Sequence, residues 1–318
     1  MINNILQGDS LSVLKCIPDE TVQTCITSPP YYGLRNYGVS GQIGLEESVD
    51  EYITNLVKVF REVRRVLKES GTLWINLGDS YAGSGKGAWK VKDKQRHTYV
   101  PDPDSPQIKI KNKDYKSKDL MGIPWRVAFA LQDDGWYLRS DIIWHKPNAM
   151  PESVIDRPTK AHEYIFLFSK SPKYYYNNEA IKEPAVHGDP NPPRGSIGVI
   201  GQKNKGSRVD KKRGSFNGKC KDLVFRAIRD MRNKRSVWTV TTKPYKEAHF
   251  ATYPPDLIEP CVLAGSKEND TVLDPFFGAG TTGLVAWKYN RNFIGIELNR
   301  EYIKIAKRRL ANVQMSFT

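Results

Sequence analysis

The stretch TVLDPFFGAGTTGLVAWKY, residues 271–289, reads as a buried strand, a glycine-rich turn and a helix in immediate succession. Gly278 and Gly280 let the backbone turn sharply and approach a ligand with no Cβ in the way, and helix-start amides from Thr281 onward offer donors to a carboxylate or phosphate. No Lys follows the glycines, which excludes a Walker A loop. Asp274 ends the strand, where a carboxylate suits a ligand ammonium. Glu297 ends the next strand, FIGIEL at 293–298, where an acid can accept from both hydroxyls of a ribose.

Outward from this turn, strands are predicted at 2–6, 22–27, 72–78, 141–146, 162–170, 271–275 and 293–298. Between them, Ile53, Leu56, Val57, Phe60, Val63 and Leu67 recur at helical spacing, which predicts a helix from Asp50 to Ser70 closed by Gly71. A last helix is predicted from about Arg300. Strands alternating with helices specify an α/β fold with a mostly parallel sheet covered on both faces.

The strand at 22–27 runs directly into TSPPYYGLRNYG, residues 27–38. Taken alone, this is a proline-rich turn with surface tyrosines. With a ligand-binding turn and Glu297 downstream, it becomes the second half of a site. Pro30 removes a backbone donor and, with Pro29, restricts the turn to few conformations.

The chain of 318 residues carries 49 Lys and Arg against 35 Asp and Glu, a formal charge of +14. Residues 86–118 hold ten basic and four acidic side chains, and residues 182–235 hold fifteen and five. The remaining chain is slightly acidic, so the positive excess is confined to two segments rich in Gly, Asn, Ser or Pro. Solvated loops are the plain reading of such segments; two of them flanking a candidate site point instead to a polyanion such as nucleic acid. The first twenty residues lack the pattern of a signal peptide, and no apolar run is long enough to span a bilayer, so a cytoplasmic location is expected. The four cysteines and five histidines show no metal-ligand spacing, and no metal site is expected.

DPFFGAGTT together with TSPPYY resembles the motif pair of S-adenosylmethionine-dependent DNA amino-methyltransferases, which methylate an exocyclic base nitrogen. The SPPY element precedes the glycine element, as in the β class, a circular permutation of the usual methyltransferase order. GDSLSVLKCIPDETVQTCITSPPYYGLRNYG, IIWHKPNAMP, HEYIFLFSKSPKYYYN and HFATYPPDLIEPCVLAGS are similar to further blocks of that class. The resemblance implies a Rossmann-like methyltransferase fold with a seven-stranded, mostly parallel sheet and one antiparallel strand. It implies S-adenosyl-L-methionine as cofactor, held by Asp9, Asp274, Phe276, Gly278, Gly280, Thr281 and Glu297. It also implies a catalytic turn of Ser28, Pro29, Pro30 and Tyr31. There, the Ser28 hydroxyl and the Pro29 carbonyl would accept the amino protons of a base extruded from double-stranded DNA, and Tyr31 would stack on that base. Arg35 is a further candidate for a phosphate contact.

In that family Ser at the first motif position goes mainly with cytosine N4 and Asp with adenine N6; a hydroxyl can accept from an amine and also donate to a ring nitrogen. Expected organisation is a catalytic part at 1–181, including the basic loop 86–118, a target-recognition insertion at 182–240, and a cofactor-binding part at 241–318. A restriction endonuclease acting on the same sequence is a candidate partner. An RNA or protein methyltransferase, or a silent DNA-binding protein, would share some of these features. Contact between the basic segments and phosphates makes DNA affinity fall steeply with added salt; a filter-binding titration across salt concentrations checks this, and a flat response would remove the assignment.

Overall fold

The computed structural model of the chain describes residues 2–34, 39, 41–83, 90–92, 99–101, 115–185, 231–242 and 253–314. Arg35 and the greater part of both basic segments lie outside the described residues. The chain divides into two units, residues 1–177 with 235–318, and residues 178–234.

The first unit is built on strands β1 (Asn4–Gln7), β2 (Val22–Thr27) and β3 (Leu67–Leu77), a short hairpin of β4 (Lys90–Lys92) and β5 (Tyr99–Pro101), then β6 (Tyr137–His145) and β7 (His162–Ser169). The second unit contributes β8 (Glu183–Pro184) and β9 (Met231–Arg232), an antiparallel pair joined by an ion pair between Arg232 and Glu183 at 2.9 Å. The first unit resumes with β10 (Val237–Thr239), β11 (Thr271–Asp274) and β12 (Asn292–Glu297). Its main sheet has the order β1-β12-β11-β2-β3-β7-β6-β10. All neighbours pair in parallel except β7, which runs antiparallel to both β3 and β6.

All seven expected strands are therefore in the sheet, and the reversed strand is β7. Among the described residues the sheet has eight strands rather than seven. The extra edge strand, β10, lies inside the stretch assigned from sequence to target recognition; it is three residues long and bracketed by basic and polar residues, too short to show a period. At the centre, β2 (VQTCIT) and β11 (TVLD) are buried along their whole length, as expected of parallel strands covered on both sides.

Helices α1 (Ser10–Leu14), α2 (Val49–Val66) and α3 (Ile123–Asp133) pack side by side, as do α4 (Pro255–Gly265), α5 (Thr281–Lys288) and α6 (Arg300–Gln314). Alternation along the strands separates the two layers. Cys25 and Leu73 join the core built with α2 and α3, whereas a Cβ on Gly265, at the end of α4, would meet Thr24 Oγ1 at 2.8 Å and Thr72 Oγ1 at 3.0 Å.

Ser48 caps α2 by accepting from the Glu51 amide at 3.1 Å, and Asp50 and Glu51 at its start and Arg64 and Arg65 at its end complement the helix dipole. Its buried stripe is Val49, Tyr52, Leu56, Val59, Phe60, Val63 and Val66, with Ile53 and Val57 at the margin. The helix ends at Val66, not Ser70. Leu67 is already extended, at φ −71° and ψ 138°, and pairs with Val22, so the strand begins before Gly71 and absorbs a bulge.

Phe277 is the wedge that seats the glycine turn on the sheet. Its ring stacks on Phe293 with centroids 5.6 Å apart, and a Cβ on Gly295 would lie 2.4 Å from its Cγ; one on Gly283 would lie 2.6 Å from its Cζ. Gly295→Ala is accordingly expected to lower stability by about 1–3 kcal/mol. The measurement is the urea unfolding free energy, and Phe277→Leu in the same chain should recover part of the loss.

Candidate active site

The carboxyl ends of β11, β2 and β12 bring together three segments far apart in sequence. Asp274, closing β11, is 1 % exposed. Its Oδ1 accepts from Thr27 Oγ1 at 2.6 Å and the Phe276 amide at 3.0 Å, and its Oδ2 accepts from Thr282 Oγ1 at 2.6 Å and Tyr253 OH at 3.0 Å. The Tyr253 and Thr282 hydroxyls also touch each other, and with one proton apiece they share the role of donor to Oδ2. Burial pushes the Asp274 carboxyl above its ordinary range against the pull of these donors, and it raises the Tyr253 phenol as well, with the Asp274 charge second. Both oxygens of the carboxylate are thus met by protein donors.

The turn beyond it is shaped by two glycines with different surroundings. Gly278 has φ +51° and open space where a Cβ would stand; Gly280 has φ +80°, and a Cβ there would press on Ala306 of α6 at 3.0 Å. Gly278 fits the expected approach of backbone to ligand, whereas Gly280 serves close packing of the turn on a helix. Gly280 also caps α5 without a side-chain bond, and Thr281 is buried, its Oγ1 accepting from Arg309 at 2.8 Å.

Glu297, at the end of β12, accepts from the Gly278 amide and the Asn299 amide, each at 2.7 Å, one on each oxygen. Its oxygens keep lone-pair capacity for a ligand hydroxyl beyond these two bonds. Burial raises its carboxyl above the ordinary range, with the amides of Asn299, Gly278 and Leu298 opposing. The N-terminal block closes the same wall: Ser10 Oγ donates to the Pro275 carbonyl at 2.6 Å, the Gly8 amide to the Glu297 carbonyl at 3.1 Å, and Asp9 caps α1 by accepting from Ser12. Phe276 is half-buried and packs on the central core.

Thr27 ties this wall to the proline turn, since the next residue is Ser28. Ser28 and Pro30 are half-buried and Pro29 is buried. Tyr52 of α2 donates to the Pro30 carbonyl at 2.8 Å, and among the described residues no donor reaches the Pro29 carbonyl. Tyr31 is half-buried, its hydroxyl 2.8 Å from Glu163 Oε2 and 3.1 Å from Asn76 Oδ1. Tyr32 is a core residue packed on Tyr52, with centroids 5.4 Å apart.

A family model described as DNA methylase, joining N6 and N4 methyltransferases, matches residues 22–308 and so takes in both turns. The chain belongs to this family. As a DNA methylase it is a methyltransferase that uses S-adenosylmethionine. The open side of Gly278, the Glu297 carboxylate and the start of α5, which has no side-chain cap, lie together at this end of the sheet.

Type II methyltransferases resemble this DNA methylase over almost its whole length. M.XycI of Xanthomonas campestris pv. cyanopsidis is 46% identical, covering 97% of this chain and 87% of its own. M.SmaI of Serratia marcescens is 46% identical over 96% of this chain and 90% of its own. Among solved structures, the PvuII DNA methyltransferase, named as cytosine-N4-specific, aligns with a TM-score of 0.63 at 19% identity, covering 97% of this chain and 86% of that one. A putative DNA modification methylase of Thermus thermophilus, solved with S-adenosylmethionine, aligns with a TM-score of 0.57 at 23% identity, covering 98% and 93%. Both share the Rossmann-like α/β fold. No described helix is long and apolar enough to cross a membrane.

Reading the motifs alone missed Thr27, Tyr253, Thr282, Asn76 and Glu163. Tyr253 and Glu163 lie in blocks that resemble the family, but which carboxylate each phenol meets is a matter of tertiary packing. The raised Asp274 carboxyl carries a sign: the folded protein binds its proton more tightly than the unfolded chain. Its stability contribution is present below the ordinary value of 3.8 and is lost as pH rises through the folded value. The unfolding free energy of wild type should therefore fall relative to Asp274→Asn as pH is raised from about 4, in parallel urea titrations.

Proposed function

We propose that this DNA methylase transfers a methyl group to the exocyclic N4 of cytosine within a short recognition sequence in double-stranded DNA. The observation that supports methyl transfer at the proline turn is the 2.6 Å bond from Thr27 to Asp274, which ties the start of that turn to the wall that carries the glycine turn. Bound there, S-adenosylmethionine would supply an activated methyl group on a good leaving group. Gly278 lets the backbone approach it, Glu297 accepts from its ribose, and Asp9, Phe276 and the amides from Thr281 complete the cradle. Asp274 and Gly280 serve the cofactor through the shape of the turn.

The target nitrogen is a poor nucleophile because its lone pair is delocalised into the ring. Ser28 Oγ and the Pro29 carbonyl hold its two protons and favour a pyramidal nitrogen. The Tyr52 hydroxyl takes one lone pair of the Pro30 carbonyl and so holds the turn in place. Acceptors fixed before the base arrives stabilise the developing charge without reorganising. Tyr31 stacks on the extruded base and offsets part of the cost of leaving the duplex, by roughly 1–3 kcal/mol. No protein nucleophile is required.

Ser28 supports cytosine as the target, since its hydroxyl can accept from the amine and donate to the adjacent ring nitrogen. The basic segments, 86–118 in the catalytic part and 182–240 as the recognition insertion, supply phosphate and base contacts, with 241–318 completing the cofactor side. The enzyme would act in the cytoplasm and protect DNA against a restriction endonuclease of the same sequence specificity.

Nucleoside analysis of DNA incubated with enzyme and S-adenosylmethionine tests the target: N4-methylcytosine is expected, and N6-methyladenine as the sole product would overturn it. Ser28→Ala should lose turnover by about a hundredfold or more while cofactor binding stays unchanged. Full activity in that variant would remove Ser28 as acceptor.

A further inference from the structure

In the loop from Lys146 to Ala161, which joins β6 to β7, the usual placement of polar and apolar side chains is reversed. The Lys146 amide closes its stem by donating to the Ala161 carbonyl at 2.8 Å. Because β7 runs antiparallel to β3 and β6, the loop leaves the sheet at the edge where β3 ends. That edge adjoins the proline turn: Gly78, the residue after β3, lies so close to Tyr31 that a Cβ there would stand 2.7 Å from Tyr31 Cε2.

The polar side chains of the loop are engaged. Arg157 pairs with Glu152 across the tip at 2.6 Å, and its guanidinium lies over the Tyr81 ring, 3.9 Å from the centroid. Asp156 is paired with Lys118 at 2.7 Å, and Lys160 Nζ donates to the Asp79 carbonyl at 2.8 Å. The apolar side chains between these anchors turn to water instead. Ile155 is fully exposed and Met150 is 74% exposed. A lone apolar residue on a surface is ordinary. Here, however, ion pairs brace both sides of a side chain that itself gains nothing from the fold. Both acids of the tip are matched by cations, so phosphates of DNA would meet no uncompensated carboxylate there.

We infer that this loop is an apolar wedge, with Ile155 entering the base stack of the duplex where the target base leaves it. The inference rests on the extrusion of that base, as proposed for this DNA methylase. Extrusion leaves a gap bounded by the flat faces of the neighbouring base pairs, and the base falls back unless the gap is filled. Isoleucine and methionine are among the side chains that enter such steps. Branching at Cβ makes the Ile155 side chain stiff, and the braced loop presents it with little left to order on binding. The wedge thus holds the duplex open while Tyr31 receives the base.

The recognition sequence is first mapped from the positions methylated in plasmid DNA, and an oligonucleotide duplex carrying it is made with the target base either paired or mispaired. In single-turnover methylation, Ile155→Ala is expected to lose about tenfold on the paired duplex and less than about twofold on the mispaired one, where extrusion is already easy. Ile155→Met should keep most of the rate on both. Cofactor affinity by calorimetry and the thermal transition should be unchanged in both variants. In an active wild type, a similar loss on both duplexes, as a protein partner or a second copy at this tip would give, or an undiminished rate on the paired one, would overturn the wedge alone. A wild type that methylates no DNA would overturn it together with the function on which it rests.

Discussion

The arrangement of this molecule depends on one buried carboxylate. Asp274 sits at the carboxyl end of a central strand, almost wholly out of water, and would be costly to ionise there unless its oxygens were fully met. Four donors meet them, from the end of β2, the turn after β11, the start of α5 and the segment that leads into α4. Removal of any one would leave an unsatisfied charge in the interior, so each segment is held where the others need it. The bond from Thr27 has the largest reach, because it crosses from the cofactor wall to the residue that begins the proline turn. The distance between the two halves of the site is thereby set by the pairing of β2 with β11 and by this bond at its end, rather than by a loop.

A second layer of order comes from aromatic side chains lodged against glycines. Phe277 fits only because Gly283 and Gly295 lack side chains, and Tyr31 lies flat only because Gly78 does. None of these three glycines belongs to the glycine-rich motif. The motif glycines themselves divide in purpose, Gly278 facing open space and Gly280 facing a helix, although in sequence they look equivalent.

Much of this was legible in the chain. The strands had clear apolar runs bounded by turns, and the two turns carried residue types whose combination has few uses. What escaped was local or collective. Strand β10 is too short and too polar in its surroundings to show a period. Helix α2 ended early because Leu67 gained more from pairing beside Val22 than from continuing a helix that propensity alone would have extended to Gly71. Sequence shows where the Asp274 carboxylate stands and not that Thr27, Thr282 and Tyr253 also point at it. Glu163 read as one polar residue at the start of an apolar strand, and only the fold brings it to Tyr31.

The reversal of β7 places the first residues of that strand at the same edge of the sheet as the last residues of β3 and β6. Glu163 therefore rides on a rigid lattice whose spacing is fixed by backbone hydrogen bonds on both sides, while the loops around it need not keep any fixed shape. On warming, such loops slacken well before a sheet does. The carboxylate that meets Tyr31 is thus insulated from premelting and keeps its place until the sheet itself gives way.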